Sequence, residues 1–154
     1  MSVEIGTPAP DFTMPTDGGG SVTLSALRGQ PVVLYFYPKD DTSGCTAEAC
    51  GFRDRFPDFT GTGAAVIGVS KDGVASHDKF KSKHALPFVL ASDKETQVAE
   101  AYGVWVEKSM YGRKYMGLER ATFLIDRDGV VRNVWRKVKV TGHVEAVLKA
   151  VKAL

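Results

Sequence analysis

Residues 32–37, Val-Val-Leu-Tyr-Phe-Tyr, form an unbroken apolar run between Pro31 and Pro38, and this run constrains the chain more than any other feature. Rich in β-branched and aromatic residues, without polar alternation, it reads as a strand covered on both faces. Such a strand needs a layer on each side, and helices supply both layers in α/β folds. The run is far too short to cross a bilayer, which takes about 20 apolar residues. The opening stretch, MSVEIGTPAP, has neither a basic segment nor an apolar one. No signal peptide is expected, and the cytoplasm is the expected location.

The remaining elements alternate around that strand. Asp17-Gly18-Gly19-Gly20 reads as a turn between two short extended pieces. After Pro38 a polar loop leads into a helix with Ala49, Phe52, Phe56 and Phe59 on one face and Cys45 at the head of the stripe. Pro57 should kink or end it. Residues 64–70 form a second buried strand, 74–84 a polar helix, 87–91 a short strand, and 95–102 a helix closed by Gly103. Residues 121–126 and 130–135 flank Asp128-Gly129, a hairpin signal. Thr141 is expected to cap a last helix bearing Val144, Val147, Leu148 and Val151. The order β-α-β-α-β-α-β-β-α implies parallel strands with right-handed crossovers, then an antiparallel pair. The expectation is a thioredoxin-like α/β fold, a mixed central sheet with helices on both sides, with a small flavodoxin-like sheet as the alternative. At 154 residues the chain fits one domain over its whole length, 1–154.

Charge narrows the function classes. Lys and Arg number 20 against 18 Asp and Glu, a net charge of +2. That balance makes no electrostatic case for nucleic acid or an anionic membrane. Two cysteines without an export signal argue for thiol chemistry, a metal site or no special role, not for a disulfide scaffold.

Cys45 lies where a strand hands over to a helix. Unpaired backbone N–H groups and the positive helix end favour a thiolate there. Thr42, three residues upstream, can bring its hydroxyl to the sulfur or to whatever the sulfur attacks, and Gly44 lets backbone approach a ligand closely. Cys45 equally reads as a small apolar residue heading the phenylalanine stripe. Cys50 follows five residues later. On an intact helix the two Cα atoms would be roughly 8.6 Å apart, beyond the roughly 7 Å limit for a disulfide. A bridge between them would therefore be a switch that needs the helix to unwind. Gly51, a poor helix residue by about 1 kcal/mol relative to Ala, marks the least costly place for such a break. Zinc would need two further ligands, and the spacing of His77 and His84 matches no common pattern, so no metal is expected. The spacing CxxxxC is not the CxxC of a dithiol reductase.

Pro38, Thr42 and Cys45, spaced PxxxTxxC, resemble the active-site signature of the peroxiredoxins. Residues 36–50, FYPKDDTSGCTAEAC, resemble the bacterioferritin comigratory protein (peroxiredoxin Q) branch, as do GTPAPDF at 6–12, LPF at 86–88, YGV at 102–104 and RATFLID at 120–126. The resemblance implies a thiol peroxidase that reduces hydrogen peroxide and organic hydroperoxides without metal, haem or flavin. It implies Cys45 as the peroxidatic cysteine, which becomes a sulfenic acid. Thr42 would hold the peroxide, Pro38 would shield the pocket, and Arg120 would favour the thiolate and the departing oxygen. Glu48 matches a usually acidic position, either orienting Arg120 or serving as a favourable first-turn carboxylate. Cys50 matches the resolving cysteine of members with both cysteines on one helix, and the later-helix alternative near 81–84 has no cysteine here. Thioredoxin is then the expected reductant and a monomer the expected state. A redox sensor built on the same pair is the competing reading. His77, His84 and His143 are expected to be surface or satisfied histidines.

Overall fold

All five residues of the central strand are buried, so both of its faces are indeed covered. In the computed structural model, which describes residues 3–154, the chain opens with an antiparallel pair, β1 (Thr13–Pro15) and β2 (Ser21–Thr23). Next come β3 (Val32–Phe36), α1 (Ser43–Asp54), α2 (Phe56–Gly61), β4 (Ala65–Ser70) and α3 (Val74–His84). They are followed by β5 (Val89–Ser92), α4 (Gln97–Ala101), β6 (Trp105–Met110) and β7 (Arg113–Leu118), then β8 (Ala121–Ile125), β9 (Val131–Trp135) and α5 (His143–Lys152).

Among the described residues, a five-stranded sheet runs β5-β4-β3-β8-β9. β3, β4 and β5 are parallel, and β8 and β9 are antiparallel to their neighbours. A flavodoxin-like sheet of parallel strands is thereby ruled out, and the arrangement is thioredoxin-like. Alternate side chains of β3 feed two cores. Val33 and Tyr35 pack with Phe52 of α1, Phe59 of α2, Phe80 of α3 and the apolar stripe of α5. Val32, Leu34 and Phe36 pack with the N-terminal segment, Ala99 of α4 and Tyr102.

The helix containing both cysteines breaks at Arg55, as the kink expected at Pro57 requires, and Pro57 sits in the first turn of α2, where its missing N–H costs nothing. Two local outcomes depart from the sequence reading. Thr141 does not cap α5; the preceding position is Gly142, at φ 76°, a backbone conformation that glycine adopts freely. The β6–β7 hairpin was not foreseen at all. Its two-residue turn, Tyr111-Gly112, has φ of 51° and 79°, the pattern usually signalled by Asn-Gly or Asp-Gly. Its strands are also largely exposed and carry charge, so they lack the apolar signature of the core strands.

Candidate active site

The expected site residues gather at the carboxyl end of β3. Thr42, extended at φ −92° and ψ 155°, precedes α1, and its carbonyl accepts the first helical bond from the Thr46 N–H at 2.8 Å. The N–H groups of Ser43, Gly44 and Cys45 therefore form the open first turn, and the helix dipole adds positive character there. Cys45 occupies its third position with 1% exposure.

Register delivers the cation. β8 lies antiparallel to β3, with Ala121 opposite Phe36, so residue 120 falls beside the point where the chain leaves β3 for α1. Arg120 Nη2 donates to Cys45 Sγ at 3.3 Å, and Nη1 donates to Glu48 Oε1 at 2.8 Å. A guanidinium fork suits two such acceptors at once. Gly44 makes room for it: a β-carbon there would lie 3.1 Å from Nη2.

Glu48 is not the first-turn carboxylate that was one reading of it. It lies in the second turn of α1, fully buried and aimed at Arg120. Burial pushes its carboxyl up to about 7 against the pull of Arg120. Its Oε2 has no hydrogen-bond partner and lies 4.0 Å from His143 Nε2. That imidazole bonds Thr122 Oγ1 at 2.7 Å, and burial, helped by the charge of Arg120, lowers it to about 4.

The other expected residues fall as follows. The Thr42 hydroxyl is exposed and donates to the Lys39 carbonyl at 2.9 Å, which leaves its oxygen able to accept a further proton donor. Pro38 is half-buried at the start of the loop. Cys50 is half-buried on the same unbroken α1 as Cys45, and both thiols are free, consistent with the spacing argument. Among the described residues no cluster of three or more His, Cys, Asp or Glu is arranged to hold a metal ion.

Several neighbours were not foreseen. Lys108 of β6 is within electrostatic reach of Arg120 and Cys45, and burial together with Arg120 lowers its pKa. It was invisible because its hairpin was. His77 and His143 are buried and hydrogen-bonded, the satisfied histidines of the expectation, though their partners were not foreseen. His77 Nδ1 lies 2.7 Å from Asp40 Oδ2 in the loop that precedes Cys45, a pairing across 37 positions that no local spacing could announce.

The AhpC/TSA family model matches residues 5–134. Peroxiredoxin Bcp of Bacillus subtilis is 51% identical over 152 residues, covering 99% of this chain and 97% of that protein. Among solved structures, the Xanthomonas campestris bacterioferritin comigratory protein, studied for alkyl peroxide reduction, superposes with a TM-score of 0.91 at 44% identity, covering 98% of this chain and 96% of that one. A PrxQ mutant of Xylella fastidiosa superposes with a TM-score of 0.94 at 39% identity, covering 99% and 98%.

Proposed function

We propose, for a chain that belongs to the AhpC/TSA family, that its peroxidase chemistry runs through Cys45 and Cys50. The chain is a thiol-dependent peroxidase, an oxidoreductase that takes peroxide substrates and a thiol reductant. The observation that carries the residue assignment is the Arg120 fork, with one arm on Cys45 Sγ and the other on Glu48.

The Cys45 thiolate attacks the terminal oxygen of the hydroperoxide. An S–O bond forms, the O–O bond breaks, and the departing oxygen takes a proton to leave as an alcohol, or as water from hydrogen peroxide. Thr42 accepts the hydrogen bond of the peroxide O–H, while Arg120 and the first-turn N–H groups stabilise charge on the departing oxygen. Pro38 and Gly44 shape the approach. The Cys50 sulfur then attacks the sulfenic acid, a disulfide forms and water leaves. Because α1 holds the thiols on different faces, this step requires its first turns to unwind. An external dithiol, thioredoxin in this reading, restores both thiols. A monomer over residues 1–154 suffices, since resolution needs no second chain. No step calls for a metal or organic cofactor.

The cytoplasm, where dithiols are kept reduced, is the compartment this cycle fits. Among the described residues no helix is long and apolar enough to cross a membrane. The test is peroxide-dependent oxidation of thioredoxin. The parent should turn over repeatedly and Cys45→Ser should not, because a hydroxyl with no adjacent base is a poor nucleophile. A stoichiometric, single-turnover parent would instead mark a redox sensor.

A further inference from the structure

The loop that presents Cys45 is fastened from below by a buried polar cluster that the peroxidase cycle does not use. Asp40 accepts from the Tyr37 hydroxyl at 2.5 Å, from Ser76 Oγ at 2.8 Å and from His77 Nδ1 at 2.7 Å. Its own N–H donates to Asp72 Oδ2 at 2.8 Å. His77, fully buried in α3, has its other ring nitrogen 2.9 Å from the Ala91 carbonyl of β5. A carbonyl oxygen can only accept, so Nε2 carries a proton. Nδ1 faces a carboxyl group that already collects two hydroxyl donors, and an imidazolium, a donor at both nitrogens, accounts for both contacts.

We propose that His77 is a positioning residue for the peroxidase reaction: its imidazolium pins Asp40 and thereby holds the Lys39–Thr42 segment in register with Cys45. The inference rests on the Cys45 reading above. The connection is short. The Lys39 carbonyl, next to Asp40, takes the Thr42 hydroxyl, and the Thr42 carbonyl starts the helix that carries Cys45. Asp41 sits between them at φ 59°, a left-handed conformation that a loose loop would relax.

Burial opposes the charge on His77, but Asp40 outweighs it and holds the imidazolium above its ordinary range. Among the described residues the titratable groups facing it are Asp40 and Tyr37 from the loop and Asp72 from the β4–α3 connection, while β5 offers only the Ala91 carbonyl. Losing the proton would set a bare Nδ1 lone pair against the Asp40 carboxylate. The latch is therefore closed at low pH and opens as pH rises through a point above 6.5, the usual imidazole value.

The test compares second-order rates of Cys45 oxidation by hydrogen peroxide in the parent and in His77→Asn, across pH 5.5–9. Asn keeps a neutral donor near the Nδ1 position but cannot be charged. The parent-to-variant ratio removes the titration of Cys45 itself. It should be about tenfold at low pH, the scale of one charge-assisted hydrogen bond, and fall toward one as the parent latch opens. A ratio that stays constant with pH would reduce His77 to a packing role and overturn the proposal. NMR of the His77 ring in the parent gives a second readout that does not depend on the variant folding. Both nitrogens should stay protonated to pH values above 6.5, and a ring that is neutral at pH 6.5 overturns the latch. A parent that does not react with peroxide at all would instead refute the Cys45 assignment.

Discussion

Gly44 leaves open the space that Arg120 uses: a β-carbon on Gly44 would lie 3.1 Å from Arg120 Nη2, the nitrogen that donates to Cys45 Sγ. The glycine thus serves the guanidinium's access to the sulfur. Gly44→Ala should change thermal stability little, since the better helix propensity of alanine offsets the displacement of the guanidinium. It should also slow the reaction with peroxide several-fold by pushing the fork aside. Stopped-flow rates beside a melting curve check the split, and an unchanged rate would show that the guanidinium yields without consequence.

Arg120→Ala removes both arms of the fork. The second-order rate with peroxide should fall by roughly 10² or more, the scale of losing one transition-state donor. Competition kinetics against a second peroxidase measure it, and a parental rate would make Arg120 structural only.

Gly51 tells a different story from the one its helix propensity suggests. A β-carbon there would come within 2.9 Å of Val144 Cγ2, so the residue is also where α5 approaches α1 closely. Gly51→Ala alone should destabilise the protein, because overpacking a tight contact typically costs about 1–3 kcal/mol. Adding Val144→Ala should recover part of that loss and isolate the stiffening of α1, which then slows formation of the Cys45–Cys50 disulfide. Urea unfolding of the two single variants and the double variant supplies the cycle.

Glu48 and His143 make opposite contributions to stability against pH. Glu48 titrates near 7 in the fold against 4.5 ordinarily, so the native state holds the extra proton between those values, and stability falls as pH rises across that window. His143 titrates near 4 against 6.5, so the unfolded state holds the extra proton, and stability rises with pH from about 4 to 6.5. Each is worth on the order of 3 kcal/mol, and the two nearly cancel between pH 4.5 and 6.5. Relative to the parent, Glu48→Gln should expose the rising limb and His143→Asn the falling one. Denaturant titrations at pH 4.5, 5.5 and 6.5 read both slopes, and parallel curves for parent and variants would contradict the assignment.

The core of the fold was legible because Val32–Phe36 and residues 66–70 are covered on both faces and so carry an unbroken apolar signature. The Cys45 loop was legible because its residues are contiguous. What escaped depends on distance or exposure. Glu48 Oε2 facing His143 and Asp40 facing His77 join residues far apart in sequence, through pairings that only tertiary packing creates. The β6–β7 hairpin escaped because its turn uses Tyr111-Gly112 and its strands face solvent. The roles given to Gly44 and Gly51 missed their packing partners, since a glycine's neighbours leave no trace in local sequence.

The most direct test of the account is the mass of the protein after one equivalent of hydrogen peroxide, followed by peptide mapping. The account predicts a loss of two hydrogens in the parent, with Cys45 and Cys50 joined in one cross-linked peptide. In Cys50→Ser it predicts a gain of one oxygen on Cys45 in place of that loss. Parent protein that keeps both thiols, or Cys45→Ser protein that still consumes the peroxide, would contradict it.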